Sequence, residues 1–179
     1  MTLPQPTPQS DSPSTPAADT TQLAAALGRI PSGLFVVTWR AAGHDRSMLA
    51  SWVMQAGFEP PLVAIAVARS RDLLAAIGQA TPFVVNVLGE SQRPLVGRFG
   101  KPSGSGEDPF AGLAIERTTT GTVALAEATA WLECRPLEQP ASGDVAAGDH
   151  VVVLGRVIAS RADAEQQPLV HLRRNGLRY

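Results

Sequence analysis

Short, continuous apolar runs are the dominant pattern in this chain after residue 30. Four of them, each four to six residues long, cover residues 34–39, 62–67, 83–88 and 151–154. Runs of this length that are rich in branched and aromatic side chains predict buried β-strands rather than helices. Residues 130–135 (Ala-Trp-Leu-Glu-Cys-Arg) alternate more clearly, which predicts a strand with one wetter face.

Helical spacing of apolar residues is confined to three short segments, at about residues 21–29, 70–77 and 91–99. Thr20 or Thr21 is placed to cap the first segment, which must stop before Pro31. Ser70 is the expected N-cap of the second, with Asp72 in its first turn. Five or six strands with two or three short helices predict a mainly β fold, a small barrel with helical lids rather than a doubly wound sheet.

Composition indicates a soluble protein with one folded domain. The chain has 179 residues, 44% of them hydrophobic and 17% charged, and a formal net charge of −1. This near-neutral balance excludes a global basic field, so we expect no nucleic acid and no membrane as partners. Cys134 is the single cysteine, which excludes a disulfide scaffold and predicts a small core residue.

The beginning of the chain differs from the remainder. Residues 1–19 contain five prolines among Ser, Thr and Gln, so this segment cannot bury enough surface to offset its ordering entropy. We therefore predict a disordered tail over 1–19 and a folded domain over 20–179. Because the start also lacks the pattern of a signal peptide, and no apolar run reaches the roughly 18–20 residues needed to cross a bilayer, we expect a cytoplasmic protein.

The common nucleotide-binding and catalytic signatures do not occur in the sequence. Residues 103–109 (Ser-Gly-Ser-Gly-Glu-Asp-Pro) are glycine-rich, but the third glycine of a dinucleotide fingerprint would fall on Pro109. Lys101, the sole lysine, lacks the glycine spacing of a Walker loop. There is no Gly-x-Ser-x-Gly elbow. The three histidines and Cys134 have no metal-ligand spacing, so we expect no metal.

Two stretches together point to a specific chemistry. One runs through residues 48–61 (MLASWVMQAGFEPP) and the following strand to Ala-Arg-Ser-Arg at 68–71, and the other is Ala-Gly-Asp-His at 147–150. Both resemble the flavin reductase family, and most closely the flavin reductase domains at the C-terminus of flavodiiron proteins. The resemblance extends over about residues 21–179 and includes, in the same order, Ile-Pro-Ser-Gly at 30–33, Asn86, Arg-Phe-Gly at 98–100 and Pro-Leu-Val-His-Leu-Arg at 168–173.

The resemblance implies a fold, a cofactor and a reaction. The fold is an FMN-binding split β-barrel with a few short helices, assembled as a homodimer with each flavin near the subunit interface. The cofactor is FMN, with FAD as the alternative, and the electron donor is NADH or NADPH. Electrons then pass from the reduced flavin to free flavin or to a redox partner protein, such as a diiron protein or a monooxygenase.

Residues 49–55 are the expected contacts of the flavin ring, because a flavin needs a flat apolar slot with polar groups at its edge. The candidates are Leu49, Ala50, Ser51, Trp52, Val53, Met54 and Gln55. Many family members carry small Thr or Ser residues where this chain has Trp52 and Met54. The alternative is that Trp52, Val53 and Met54 are simply core residues.

Ala68, Arg69, Ser70 and Arg71 form the expected phosphate site, at the junction between a predicted strand and a predicted helix. The free N–H groups of the helix start, the Ser70 hydroxyl and the two guanidinium groups would together hold a phosphate dianion. Alternatively, Ser70 only caps the helix while both arginines are solvated.

His150 is the candidate catalytic residue, because the Gly-Asp-His segment of the family usually approaches the nicotinamide. A side chain at the rim of a barrel could donate a hydrogen bond to the nicotinamide carboxamide or to the flavin edge. The alternative is a hydrogen-bonding residue at a strand edge, with Asp149 ordering the turn. Asn86, inside an apolar strand, is either a satisfied core amide or a pocket group.

Three functions are compatible with the sequence. The first is an NAD(P)H-dependent oxidoreductase of the flavin reductase type, which the resemblance favours. The second is a flavin-carrying electron-relay or sensor module without NAD(P)H activity of its own. The third is a small β-barrel interaction protein that binds no cofactor.

Overall fold

The computed structural model describes residues 19–101, 108–138 and 148–177. In chain order the elements are α1 (Thr20–Gly28), β1 (Ser32–Gly33), β2 (Phe35–Ala41), β3 (His44–Ala50), β4 (Val53–Phe58), β5 (Pro61–Ala68), α2 (Leu73–Gly78), β6 (Phe83–Val87), a 3-10 turn (Glu90–Gln92), α3 (Arg93–Phe99), β7 (Ile115–Arg117), β8 (Val123–Leu125), β9 (Ala130–Pro136), β10 (His150–Ala162) and β11 (Val170–His171). The predicted mainly β class with a few short helices is confirmed. None of the helices in the described residues is long and apolar enough to span a membrane.

The apolar runs of the sequence correspond to the buried strands. Four runs became β2, β5, β6 and β10, and the alternating run became β9. β3 and β4 have no such run and were not predicted as strands. β3 starts with polar residues and pairs with β2 through a tight turn, in which Ala42 and Gly43 have φ of 50° and 79°, the conformation that two-residue hairpin turns require.

Two of the predicted helix starts need correction. α1 is capped by Asp19, whose carboxylate accepts a 2.9 Å hydrogen bond from the Thr21 amide, and not by Thr20 or Thr21. α2 begins at Leu73 with Asp72 as its N-cap, so the prediction of Ser70 as the cap is wrong. The chain instead turns at Ser70, where the Arg71 amide donates to the Ala68 carbonyl at 2.9 Å.

Seven strands form one antiparallel sheet in the order β3-β2-β6-β9-β10-β5-β4. The two ends of this order, β3 and β4, are consecutive in the chain and are joined only by Ser51 and Trp52. The sheet must therefore curl until its two edges meet at one end. Because β3 and β4 are not neighbours in the order, the resulting barrel is split along this seam, as predicted.

The interior of the barrel is packed with large apolar side chains. One cluster contains Trp39, Met48, Ile65 and Phe83, and the second contains Leu34, Leu88 and Leu125, among others. Close packing leaves little spare room, since a Cβ at Gly155 would lie 2.5 Å from Cζ of Phe83. Cys134 is buried and free, which confirms its prediction as a small core residue.

Asn86 is a satisfied core amide. Its Nδ2 donates to the Val36 carbonyl at 2.8 Å, and its Oδ1 accepts from the Leu125 amide at 2.7 Å. The side chain thus ties β6 to β2 and β8, which resolves the alternatives for this residue in favour of the structural role.

Two compact units divide the described chain. Residues 31–172 form the barrel unit, and α1 with residues 173–177 forms the other. In the smaller unit the Gly176 amide donates to the Ala24 carbonyl at 2.8 Å. A Cβ at Gly176 would lie 2.2 Å from Cβ of Leu27, so the segment lies directly against the helix. Apart from Asp19, the predicted tail over 1–19 lies outside the described residues.

Candidate functional site

A cavity of about 180 Å³ lies at the end of the barrel where β2 and β3 meet the turn before α2. Its lining consists of Trp39, Arg46, Ser47, Met48, Ser70, Arg71, Asp72, Phe99 and Lys101. The two strands contribute one wall, since Trp39 and Arg46 are directly opposite each other in the β2–β3 register. Phe99, the last residue of α3, and Lys101, two positions beyond it, complete the lining.

The lining of this cavity is cationic and polar. Arg46, Arg71 and Lys101 oppose a single carboxylate, that of Asp72, and none of the three cations has an ion pair or side-chain hydrogen bond to a described residue. Trp39 is buried, and its Nε1 has no hydrogen-bond partner among the described residues. Buried donors normally have an acceptor, and unpaired cations favour an anion. The lining therefore has the chemistry of a phosphate site.

Only two of the four residues of the predicted phosphate site, 68–71, line the cavity. Ser70 and Arg71 line the cavity. Arg69 does not, because its Nε donates to the Gly148 carbonyl at 2.9 Å and its amide donates to the Asp149 carbonyl at 3.0 Å. Ala68 pairs with His150 in the β5–β10 register. Arg69 thus links the Gly-Asp-His segment to the turn after β5, and the next two residues of that turn, Ser70 and Arg71, line the cavity.

The residues of the predicted ring-contact segment, 49–55, also lie in different environments. Leu49 packs against the second core cluster and Val53 against the first, while Ala50 is buried in the first. Met54 is 66% exposed and Gln55 is exposed on the edge strand β4, where Gln55 Nε2 donates to the Gly57 carbonyl at 3.4 Å. Leu49, Ala50 and Val53 therefore lie in or against the core, Met54 and Gln55 lie at the surface, and their contact with a flavin ring stays a prediction.

Ser51 and Trp52 are the part of this segment that suits a ligand. Ser51 is buried, and its Oγ has no hydrogen-bond partner in the part of the chain that the structure describes. The Trp52 carbonyl accepts from the Ala66 amide at 3.0 Å, which anchors the backbone beside β5. The Trp52 side chain is half-buried and lies next to His150, so Trp52 is not a simple core residue.

His150 lies at the first position of β10 and is held from two sides. Its ring centroid is 4.7 Å from that of Trp52, with an angle of 57° between the planes. Its Nδ1 is 2.8 Å from Oδ1 of the exposed Asp149. The hydrogen bond and the charge of His150 hold the pKa of Asp149 below its usual value. A carboxylate can only accept, so Nδ1 carries the proton and Nε2 is the free nitrogen.

Seven residues of the cavity lining were not among the predicted site residues, namely Trp39, Arg46, Ser47, Met48, Asp72, Phe99 and Lys101. Arg46 and Lys101 are separated by 55 positions in the sequence and form no motif. One available signal was Arg46 itself, an arginine at the polar start of a strand that leads into the apolar Met48–Ala50. The described residues contain no group of three His, Cys, Asp or Glu that could hold a metal ion.

Comparison with known proteins gives a consistent result. The model of the flavin reductase like domain matches residues 27–177. Diflavin flavoprotein A 1 of Synechocystis sp. is 35% identical over 156 residues, which are 86% of this chain but only 26% of that protein. The chain therefore spans about a quarter of the length of this relative.

Solved structures give the same fold. The NADH:FAD oxidoreductase SgcE6 of Streptomyces globisporus C-1027, in complex with NAD and FAD fragments, is 27% identical with a TM-score of 0.74, covering 89% of this chain and 90% of that one. The flavin reductase PheA2 in its native state is 26% identical with a TM-score of 0.67, covering 83% of this chain and 90% of that one.

Proposed function

The chain belongs to the flavin reductase like domain family, and from this we propose that it is an oxidoreductase that binds a phosphate-bearing flavin and reduces it with NADH or NADPH. The observation that carries the proposal is the cavity lined by Arg46, Arg71 and Lys101, none of which has an ion pair with a described residue, together with the contact between the rings of His150 and Trp52. A bound anion would compensate these charges, and the rings of Trp52 and His150 offer an aromatic surface to a flavin ring.

The residues present fit such a cofactor. Arg46, Arg71, Lys101 and the Ser70 hydroxyl would hold the phosphate. Trp39, whose Nε1 has no partner among the described residues, also lines the cavity. Arg69, which bonds to the Gly148 carbonyl, and Arg71, which lines the cavity, are two positions apart, so their Cα atoms lie within roughly 7 Å of each other. A single elongated ligand can therefore reach both.

When bound, the flavin supplies the hydride-accepting chemistry. The role of the protein is to orient the nicotinamide. His150 is suited to this, because Asp149 and Trp52 fix its ring. In the neutral ring Nε2 accepts a hydrogen bond from a carboxamide N–H, and in the cation it donates to the carboxamide oxygen. Because Asp149 engages the Nδ1 proton, the neutral ring has no N–H left to donate to the nicotinamide or the flavin edge, and the cation donates through Nε2.

We also propose that the protein is a homodimer that passes electrons to a separate acceptor. Large apolar side chains lie exposed on β4 and β10, with Phe58 89%, Met54 66% and Val152 58% exposed. Covering exposed apolar side chains with a second copy of the chain would favour association. The domain of diflavin flavoprotein A 1 that this chain matches is only part of a longer protein, which is consistent with an acceptor on another chain or domain.

Anaerobic titration of the purified chain with NADH and NADPH tests the proposed reaction. We expect the protein to take up flavin and its absorbance band to bleach with at least one of the two nucleotides. Flavin uptake without bleaching by either nucleotide would favour the relay or sensor module. No uptake of FMN, FAD or riboflavin would contradict the proposal and leave an interaction protein.

Replacing His150 with alanine is expected to slow reduction by NAD(P)H about 10-fold, a loss of about 1.4 kcal/mol in the barrier. Flavin affinity should stay within a few-fold of wild type, because the cavity is unchanged. Stopped-flow reduction under anaerobic conditions measures this rate. His44→Ala, in the exposed β2–β3 hairpin, is the control and should have no effect. An unchanged rate in a destabilised His150→Ala protein would make His150 a structural turn residue.

A further inference from the structure

We propose that Arg69 positions His150 for the reduction of the flavin, because a hydrogen bond from its side-chain Nε holds the Gly-Asp-His segment in place. The inference rests on the proposed function, and it gives Arg69 a role on the nicotinamide side of the site instead of the phosphate role that the sequence suggested. Arg69 is a positioning residue, since it acts through the backbone next to His150 and not through contact with the ligand.

Arg69 binds two consecutive peptide groups of the segment through two different donors. Its side-chain Nε donates to the Gly148 carbonyl at 2.9 Å, and its backbone amide donates to the Asp149 carbonyl at 3.0 Å. Gly148 and Asp149 precede β10 and lie outside the strands. Their carbonyls therefore need partners beyond the strand pairing, and Arg69 supplies one to each.

The side-chain bond is the one that depends on the identity of residue 69. Ala68 is opposite His150 in the β5–β10 register, so the Arg69 amide extends this pairing by one residue. Any residue other than proline could donate that bond. Only a side chain with a donor at the position of Nε reaches one residue further, to the Gly148 carbonyl. The arginine therefore fixes the segment over two peptide groups rather than one.

The orientation of the His150 ring depends on the backbone that Arg69 holds. Its Nδ1 is 2.8 Å from Oδ1 of Asp149, whose side chain is 92% exposed and has almost no packing to keep it in place. Trp52 is anchored separately, because its carbonyl accepts from the Ala66 amide at 3.0 Å. A displacement of Gly148 and Asp149 would thus break the bond to His150 first, and Nδ1 would no longer be fixed as the protonated nitrogen.

The contact of Arg69 does not require its charge. Arg69 is exposed, does not line the cavity and has no ion pair with a described residue. Its side chain donates to a neutral carbonyl, so a neutral donor at the same place should serve as well. Glutamine provides one, because its Nε2 is the same number of bonds from Cα as Nε of arginine. Methionine has a methyl group at that position and no donor.

Stopped-flow reduction of the flavin-loaded chain by NAD(P)H compares the two substitutions. Arg69→Met should slow reduction by about 3- to 10-fold, because a small misplacement of an orienting group costs rate, and the loss should not exceed that of His150→Ala. Arg69→Gln should reduce the flavin at close to the wild-type rate. Flavin affinity should be unchanged in both variants. Arg93→Met, at the exposed start of α3, is the matched control and should behave as wild type.

A double variant separates positioning from a general structural effect. Because Arg69 acts through His150, Arg69→Met should cause no further loss in a His150→Ala background. Losses that multiply would overturn the inference. An Arg69→Gln protein as slow as Arg69→Met would also overturn it, since the charge would then be the property that matters. If every Arg69 variant reduces the flavin at the wild-type rate, the inference fails while the proposed function stands.

The flavin-free chain provides a readout that does not depend on the reaction. NMR of the histidine ring nitrogens, with the pH raised until the rings are neutral, reports which nitrogen carries the proton, and His150→Ala identifies the His150 signals among the three histidines. We expect the Nδ1–H form in wild type and in Arg69→Gln, and a mixture of both forms in Arg69→Met. The same form in all three proteins would overturn the inference. A wild type that takes up no flavin would instead refute the proposed function.

Discussion

The double substitution of Ser70 and Arg71 with alanine is expected to weaken FMN binding by roughly 10- to 150-fold, which corresponds to about 1.5–3 kcal/mol for the loss of a charge-assisted contact. Both side chains line the cationic cavity, so the loss should appear for a flavin that carries a phosphate. Riboflavin, which lacks the phosphate, should bind the variant and the wild type equally. Fluorescence titration with the two ligands measures the difference.

Arg69→Ala is the matched control for this experiment, because Arg69 is adjacent in sequence but bonds to the Gly148 carbonyl instead of lining the cavity. We expect it to change FMN and riboflavin binding by the same factor, if at all. A selective loss of FMN in Arg69→Ala, or equal losses of both ligands in the double variant, would move the phosphate away from the cavity.

The different contacts of Arg69 and Arg71 could not be predicted from the sequence. The apolar runs predicted β5 and the turn after it, because burial on both faces leaves a readable pattern. No comparable pattern in the sequence indicates the directions of the three successive polar side chains in this turn. They depend on which carbonyls lie nearby, and the Gly148 carbonyl that binds Arg69 is 79 positions away.

The cavity itself illustrates the same limit. Its cations come from β3, from the turn before α2 and from the segment that follows α3, and only the folding of the barrel brings them together. β3 was not predicted as a strand because it starts with polar residues, whereas a strand is predicted from an apolar or an alternating run. Arg46, which lines the cavity, is one of the polar residues because of which β3 was not predicted as a strand. Deviations of this kind from local rules are expected at functional sites.

A buried carboxylate outside the candidate site anchors the barrel unit. Glu133 on β9 is fully buried. Its Oε1 accepts hydrogen bonds from the Thr118 hydroxyl at 2.5 Å, the Thr120 hydroxyl at 2.6 Å and the Thr120 amide at 2.9 Å, and its Oε2 accepts one from the Thr119 hydroxyl. Burial alone would raise the pKa of Glu133, but these donors outweigh it and lower the pKa to about 2.

This arrangement links the turn between β7 and β8 to the main sheet. The three threonines are consecutive and precede β8, so one side chain fixes the whole turn. The carboxylate also affects its neighbour, because burial and the charge of Glu133 raise the pKa of the Cys134 thiol to about 12. The thiol therefore stays protonated at neutral pH, in keeping with its role in the core.

Glu133→Gln is expected to lower the free energy of unfolding by about 3 kcal/mol at pH 7. The amide removes the charge and places an N–H₂ group among donors. Because the pKa of Glu133 lies below its ordinary value of 4.5 in the folded state, wild type has the full contribution above about pH 5 and loses it as the pH falls from 4.5 towards 2. The difference between the two proteins should therefore shrink to about 1.5 kcal/mol near pH 3.

Urea denaturation followed by tryptophan fluorescence at pH 7 and pH 3 measures both differences. Glu127→Gln is the control, since Glu127 is exposed and has no side-chain partner among the described residues. It should change the stability by less than about 0.5 kcal/mol at either pH. A difference for Glu133→Gln that is the same at both pH values would show that the residue acts through shape alone. The threonine hydroxyls would then be bound to a neutral carboxyl group rather than to a buried charge.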